Sequence, residues 1–217
     1  MTLAYPLDDP RTSAPAAALT QVMERQGVQM TFARDEEIYA QDDDVEFLYR
    51  LTSGSVRTTR LTSDGRRQVG DFYYPGDLFG LETGPEHRFS AEALSDCNVL
   101  VLRRAVVRAM AGDAELNRAI LNATRRELDR TQTHLLLLGH KSARERVAGF
   151  LLGVAQRGSC SDVTLPMGRQ DMADYLGLTI ETVSRMLTCL QSASVVEFAA
   201  ARQFKVCNWR ALEHLAE

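Results

Sequence analysis

The sequence lacks the features that mark several large classes of protein. Its 217 residues contain no run of about 18 apolar residues that could span a membrane, and the longest purely aliphatic stretch is the four leucines at 135–138. Asp8 and Asp9 stand where a signal peptide would have a basic region and then an apolar one. We therefore expect a cytoplasmic protein without an export signal.

Candidate groups for metal or nucleophilic chemistry are also scarce. The four cysteines contain no Cys-x-x-Cys pair: Cys97, Cys160, Cys189 and Cys207. The four histidines show no metal-binding spacing: His87, His134, His140 and His214. Neither a Gly-rich phosphate loop nor a nucleophile motif is present. We expect reduced thiols, no metal, no cofactor and no catalytic residue, so the protein is not expected to be an enzyme.

Charge is unevenly distributed along the chain. The formal net charge is −4, but residues 1–103 carry −7, residues 104–141 carry +3 and residues 142–217 carry 0. Binding to DNA by phosphate neutralisation needs a local basic face rather than a basic protein. The distribution therefore permits DNA binding without predicting it.

Residues 31–103 are predicted to form an antiparallel β-roll. Short β-prone runs separated by Gly and Asp predict strands near residues 49–51, 55–59, 68–74 and 99–102. Ser63-Asp64-Gly65 predicts a tight hairpin, because glycine accepts the positive φ that primed turns need. Residues 1–30 precede the roll as a Pro- and Ala-containing arm with a short helix around residues 19–25.

The next segment, residues 104–140, is predicted to hold one long helix. Residues 113–138 contain neither proline nor glycine, and their apolar positions fall near a 3.5-residue repeat. Such a helix favours pairing in a homodimer, and the alternative is a helix that packs only within the monomer. The predicted dimerisation residues are Leu116, Ile120, Ala123, Thr131, His134 and Leu138.

Residues 141–217 are predicted to form a winged helix-turn-helix. Ser142 and Glu145 form a capping box that begins a new helix. Further on, small Ala173, Gly177 in a turn and apolar Val183 have the spacing of a helix-turn-helix. Two β-prone runs, residues 195–198 and 203–206, then predict the hairpin of the wing. The predicted fold is therefore α+β: a jelly-roll-like β-roll, a long dimerisation helix and a winged helix-turn-helix.

The second helix of this motif separates into two faces. Thr179 is its predicted N-cap, and the buried face is predicted to hold Val183, Met186, Leu187 and Leu190. On the other face, Arg185 can donate two hydrogen bonds to guanine, Glu181 can accept from the cytosine amino group, and Ser184 can contact a base edge. The predicted contacts to the DNA backbone are Arg169, Thr179, Thr182, Thr188, Arg202 and Lys205.

With this order of elements, the chain resembles the cyclic AMP receptor protein and FNR superfamily over nearly its full length. The motifs that carry the resemblance are Gly54-Ser-Val, Pro75-Gly-Asp-Leu-Phe-Gly, Ala93-Leu, and residues 169–185 with Glu181-Thr-Val-Ser-Arg185. In that superfamily the long helix forms a homodimer whose two recognition helices enter successive major grooves at a palindrome. The resemblance implies double-stranded DNA and RNA polymerase as partners and favours transcription activation.

Two departures from the superfamily narrow the resemblance. For cyclic nucleotides the superfamily uses an acidic residue and an Arg-Ser or Arg-Thr clamp, and those positions hold Leu81-Glu82 and His87-Arg88 here, so the clamp is absent. The N-terminal cysteines that hold an iron–sulfur cluster in FNR are absent as well. The remaining pattern resembles the FixK branch, which controls genes for low-oxygen respiration, denitrification and nitrogen fixation. Ile180 and Ser184 then imply inverted repeats of TTGAT half-sites.

Regulation leaves alternatives open. Without a recognisable effector site, we expect the protein to be active as isolated and controlled by its own amount. Thiol chemistry at Cys189, one helical turn after Arg185, is a second route of control, against the alternative of a packed core thiol. The alternative functions are a cyclic-nucleotide or haem-dependent member of the same superfamily, with His87 as a candidate haem ligand, and a cupin-like enzyme.

Overall fold

The computed structural model describes residues 14–157 and 162–217, which form two compact units. The roll unit ends at Asp129, and the winged-helix unit spans Arg130–Glu217. The change from one unit to the other falls within the longest helix. The domain boundaries predicted at residues 30, 103 and 140 stay predictions, and most of the predicted N-terminal arm, like Cys160, lies outside the described residues.

The roll unit begins with a helix and continues with eight strands. Its elements are α1 (Ala14–Gln26), β1 (Val28–Phe32), β2 (Glu37–Tyr39), β3 (Phe47–Ser53), β4 (Val56–Leu61), β5 (Arg67–Tyr73), β6 (Leu78–Phe79), β7 (Ser90–Ala93), β8 (Cys97–Arg103), α2 (Arg104–Ala109) and the first part of α3 (Ala114–His140). The helix predicted around residues 19–25 is therefore confirmed, and the long helix predicted within residues 104–140 is α3.

The strands form two four-stranded antiparallel sheets. The strand orders are β1-β8-β3-β6 and β2-β7-β4-β5. Side chains alternate between buried and half-buried along β7, and one buried cluster collects residues from all eight strands, among them Phe32, Tyr49 and Val99. The four predicted strands correspond to β3, β4, β5 and β8, and the predicted roll is confirmed. Strands β1, β2, β6 and β7 were not predicted.

The predicted hairpin joins β4 to β5. Gly65 has a φ of +78°, as the prediction required. Its N–H donates to the carbonyl of Thr62 at 2.9 Å, and the N–H of Thr62 donates to Arg66 at 2.9 Å. The turn brings Leu61 opposite Arg67 and so sets the register of the two strands.

The winged-helix unit combines the rest of α3 with four further helices and a small sheet. Its elements are α4 (Ala143–Arg157), β9 (Asp162–Thr164), α5 (Arg169–Leu176), α6 (Ile180–Ser192), β10 (Val196–Ala200), β11 (Gln203–Val206) and α7 (Trp209–Ala216). The antiparallel sheet has the order β10-β11-β9. The predicted capping box begins α4, since Ser142 N–H donates to Glu145 Oε2 at 2.8 Å and Glu145 N–H donates to Ser142 Oγ at 3.4 Å.

Candidate nucleic-acid interface

Helices α5 and α6 form the predicted helix-turn-helix. Gly177 ends α5 with a φ of +61°, and its N–H donates to the carbonyl of Ala173. A Cβ atom on Gly177 would lie 3.6 Å from its nearest neighbours, so the position requires glycine for its backbone angle rather than for space. Ala173 and Val183 are fully buried where the two helices meet. All three predicted positions are confirmed.

Arg146 holds the turn of this motif against the neighbouring helix ends. Its guanidinium donates to the carbonyls of Leu138 at 2.8 Å, Lys141 at 2.9 Å and Leu176 at 3.0 Å. The last carbonyls of a helix have no partner inside the helix, and a charged donor is well suited to them. One side chain thus joins the end of α5 to the end of α3.

The two faces of α6 separate as the sequence predicts. Thr179 caps the helix by accepting a hydrogen bond from the Thr182 N–H at 3.2 Å. Glu181 and Arg185 are exposed, and Ser184 is half-buried. The opposite face is buried at Val183, Leu187 and Leu190 and half-buried at Met186. The exposed face therefore presents a carboxylate, a hydroxyl and a guanidinium within two helical turns.

Neighbouring residues orient these polar groups. Arg169, at the start of α5, donates to Ser184 Oγ at 3.3 Å, and Arg185 donates to Thr182 Oγ1 at 3.3 Å. Hydrogen bonds from the Glu181 backbone N–H and the Thr179 side chain lower the pKa of Glu181 below its usual 4.5. Glu181 is therefore an ionised acceptor at neutral pH, which is the state that a cytosine amino group requires.

The wing carries the other two predicted backbone contacts. Arg202 lies in the β10–β11 turn, where its side chain donates to the carbonyl of Pro166 at 3.3 Å. Lys205 on β11 forms an ion pair with Glu197 at 2.8 Å. Thr188, one turn after Ser184, is exposed. Contact of these residues with phosphate stays a prediction, and Lys205 would have to exchange one anionic partner for another.

Several of the predicted dimerisation residues are used inside the protein. Leu116 and Ala123 are buried in the roll unit, and Ile120 packs against the cluster that contains Leu116. The His134 ring stacks on Tyr175 at 3.9 Å, and its Nε2 donates to the Tyr175 carbonyl at 2.7 Å. Leu138 is half-buried, and Thr131 is exposed. A side chain that is buried within one protomer is not available to a partner, which corrects the use of Leu116 and Ala123 as dimer contacts.

Helix α3 carries another apolar series, which was not predicted. Leu121, Leu128 and Leu135 have exposed fractions of 68%, 54% and 69%. They are seven residues apart, so they fall on one face of the helix. The seven-residue spacing was visible in the sequence, but the buried and exposed apolar faces of α3 could not be told apart there.

The interior of the roll holds a buried polar pair, His87 and Glu82, among the positions that the resemblance matches to the cyclic-nucleotide site. His87 is 1% exposed and stacks on Tyr39 at a centroid distance of 3.7 Å. Its Nδ1 lies 3.3 Å from Glu82 Oε2. Burial raises the pKa of Glu82, but the close His87 side chain, a backbone hydrogen bond and the nearby charge of Arg104 hold it below 4.5. The Glu82 side chain therefore carries a negative charge inside the roll at neutral pH.

The cysteines differ in their surroundings. Cys97 is buried, and burial raises the pKa of its thiol. Cys189 and Cys207 are exposed. Cys189 is therefore not a core thiol, although a redox role for it stays a prediction.

Within the described ranges, no group of three or more His, Cys, Asp or Glu residues could hold a metal ion, and none of the helices is long and apolar enough to cross a membrane.

Comparison with known proteins defines the class. A family model described as a Crp-like helix-turn-helix domain matches residues 145–215, and a cyclic nucleotide-binding domain model matches residues 29–113. Together with the roll, long helix and winged helix-turn-helix, these matches define a DNA-binding transcription regulator.

The chain belongs to the CRP/FNR family and is similar to its FixK members. It is 45% identical to the nitrogen fixation regulation protein FixK of Azorhizobium caulinodans over 207 residues, covering 92% of this chain and 84% of the relative. Identity to FixK of Rhizobium meliloti is 41%, covering 85% of each chain. The structure of FixK2 from Bradyrhizobium japonicum superposes with a TM-score of 0.85 at 44% identity, covering 88% of this chain and 98% of that one.

Proposed function

We propose that the protein is a FixK-type transcription activator that binds inverted repeats of TTGAT half-sites as a homodimer. Its relatives are named for the regulation of nitrogen fixation, and we assign this chain to genes for nitrogen fixation, denitrification and low-oxygen respiration. RNA polymerase is the second partner in this proposal, and the cytoplasm, where its DNA partner is found, is the location. No catalytic activity is part of it.

The observation that carries the proposal is the exposed face of α6. Glu181 and Arg185 are exposed there, while Val183 and Leu187 anchor the opposite face in the core. An α-helix fits the major groove, where Arg can bind guanine and Glu can accept from cytosine. Ile180 precedes Glu181 and is 37% exposed, so it presents an apolar side chain at the end of the helix that approaches the bases. A thymine methyl is a suitable partner for such a side chain.

The proposed dimer uses the exposed leucines of α3. Leu121, Leu128 and Leu135 lie seven residues apart on one face of α3. Thr131 and Leu138 each follow one of these leucines by three residues, at the second core position of a heptad. Two such faces can pair about a twofold axis and exclude water from both. Two recognition helices related by that axis would match the two halves of an inverted repeat.

Substitution at Leu135 tests the dimer. Leu135→Glu puts a charge in the leucine series, so we expect a monomer by sedimentation and an affinity for the inverted repeat that is lower by about 100-fold or more. Leu136→Glu is the matched control, because Leu136 is exposed but lies outside the series. A Leu135→Glu variant that stays dimeric would contradict this choice of interface.

We propose that no cyclic nucleotide is needed for DNA binding. An anionic phosphate would meet the carboxylate of Glu82, whose pKa is held low, and His87 is already packed between Glu82 and Tyr39.

Without an effector, the activity is controlled by the amount of protein. Oxidation of the exposed Cys189 is a second, separate route of control. Oxidation that inactivates the wild type and Cys189→Ser to the same extent would remove Cys189 from the account.

The experiment that tests the function is selection of bound sequences from a random DNA pool with the purified protein and no added effector. The proposal expects enrichment of TTGAT inverted repeats. Enrichment of TGTGA half-sites would contradict the assignment of the base-contacting face. Enrichment that occurs only after cyclic AMP or haem is added would contradict effector-independent binding.

A further inference from the structure

We infer that Thr182 is a positioning residue that directs Arg185 toward its base pair, and that it acts on specificity for the G·C pair rather than on contact with phosphate. This inference rests on the proposed function, because it assigns Arg185 to a guanine. It assigns Thr182 a role different from the phosphate contact that the sequence predicts.

The geometry of α6 places Thr182 directly beneath the Arg185 side chain. Long side chains on a helix lean toward its N-terminus and therefore cover the residue three positions earlier. Arg185 follows this rule, and its guanidinium donates to Thr182 Oγ1 at 3.3 Å. The guanidinium is thus restrained before any DNA is present.

Thr182 is itself restrained by the helix cap. Its Oγ1 lies 3.1 Å from Thr179 Oγ1, and its backbone N–H donates to the same Thr179 oxygen at 3.2 Å. A helical threonine divides between two rotamers because its hydroxyl can also bond to a carbonyl of the preceding turn. Here the hydroxyl lies against Thr179. When Thr182 donates its proton to Thr179 Oγ1, its own oxygen remains an acceptor for Arg185.

The contact is compatible with binding to guanine. Arg has five N–H donors, and a bidentate contact with guanine uses two of them. One of the remaining donors can therefore keep the bond to Thr182 in the complex. A side chain that is restrained in its bound direction loses less conformational freedom on binding, so the restraint favours the base pair that accepts this geometry.

A positioning role and a phosphate contact predict different results. Loss of a phosphate contact weakens binding to all sequences about equally. Loss of a positioning residue weakens binding only where Arg185 has its correct base pair. The two roles can therefore be separated with one variant and two DNA sequences.

The experiment compares Thr182→Val with Thr182→Ser in the full-length protein. The dissociation constant is measured on an inverted repeat of TTGAT and on one of TTAAT, which lacks the G·C pair. We expect Thr182→Val to weaken binding to TTGAT by about 3- to 10-fold, the size of one hydrogen bond, and to change binding to TTAAT by less than about twofold. Thr182→Ser keeps the hydroxyl and should retain the wild-type ratio between the two sites.

A double-mutant cycle with Arg185→Ala completes the test. Thr182→Val should have no further effect in the Arg185→Ala protein, because the group that it positions is absent. Equal weakening on both DNA sequences, or an undiminished effect in the Arg185→Ala protein, would overturn the positioning role. A wild type that does not distinguish TTGAT from TTAAT would overturn the proposed function together with this inference.

Thermal unfolding of each variant controls for loss of structure. The cap between Thr179 and the Thr182 N–H does not depend on the Thr182 hydroxyl, so we expect unchanged unfolding temperatures. Thr182→Ala repeats the comparison without the added methyl group if the valine variant is less stable. Loss of specificity in both variants supports the role, and its absence in the alanine variant would contradict it.

Discussion

The winged-helix unit and the roll unit place their polar groups in opposite ways. In the winged-helix unit, Glu181 and Arg185 face solvent from a helix whose other side is packed. In the roll unit, His87 and most of Glu82 are enclosed, with the histidine ring stacked on Tyr39. Outward polar groups can bind an external partner, whereas enclosed ones mainly stabilise the unit that encloses them. Substitutions of the outward groups should therefore change DNA binding, and substitutions of the enclosed groups should change stability.

Among the substitutions that compare the two units, the largest expected effect is on DNA binding and comes from Arg185→Ala. The variant should lose about 1–3 kcal/mol of binding free energy at each TTGAT half-site, because it removes a bidentate contact with guanine. Its free energy of unfolding should change by less than about 0.5 kcal/mol, since the side chain is exposed. Titration of labelled DNA and chemical denaturation provide the two measurements.

The control for this variant is Trp209→Ala, also at an exposed position of the winged-helix unit but on α7. It should leave the preference for TTGAT over TTAAT unchanged. A preference that is equally reduced in both variants would show that base recognition does not depend on Arg185 in particular.

His87→Phe should show the reverse pattern. Phenylalanine keeps the ring stack on Tyr39 but leaves the mostly buried Glu82 carboxylate without its partner. We expect the free energy of unfolding to fall by about 1–3 kcal/mol and the affinity for DNA to stay within about twofold of the wild type. The matched control is His140→Phe, at an exposed position of α3. A clear loss of DNA affinity in His87→Phe would contradict the separate roles of the two units.

Two glycines provide a smaller and more local test. Gly177 has a φ of +61° in the helix-turn-helix, so Gly177→Ala should destabilise the protein by about 1–2 kcal/mol. Gly139 lies in the last turn of α3 with open space around it, so Gly139→Ala should stabilise by up to about 1 kcal/mol. A Gly177→Ala protein that is as stable as the wild type in thermal denaturation would contradict the assigned role of the turn.

The smallest effect concerns pH and the roll unit. The pKa of Glu82 is lower in the folded protein than its usual 4.5, so its contribution to stability is present above pH 4.5 and is lost as pH falls through the folded pKa. Glu82→Gln should therefore be less stable than the wild type at pH 7, and the difference should shrink in acid. A difference that grows on acidification would mean that the pKa is raised instead.

The same contrast explains how much could be predicted from the sequence. The roles of Ala173, Gly177 and Thr179 depend on residues within one helix-turn-helix, so local spacing was sufficient. The strands β1 and β7 depend on distant partners, as in the pairing of Val28 with Val101, and local patterns did not identify them. On α3, two apolar faces compete, and only the packing of Leu116 within the roll unit shows which one remains exposed.

The most direct test of the central claim is the affinity of the purified wild-type protein, without effector, for three DNA duplexes. These carry inverted repeats of TTGAT, inverted repeats of TGTGA, or a scrambled sequence, and they are compared at one salt concentration because phosphate contacts make affinity depend on salt. We expect TTGAT to be bound more tightly than TGTGA, and TGTGA no better than about tenfold above the scrambled duplex. Equal affinity for TTGAT and TGTGA would contradict the account.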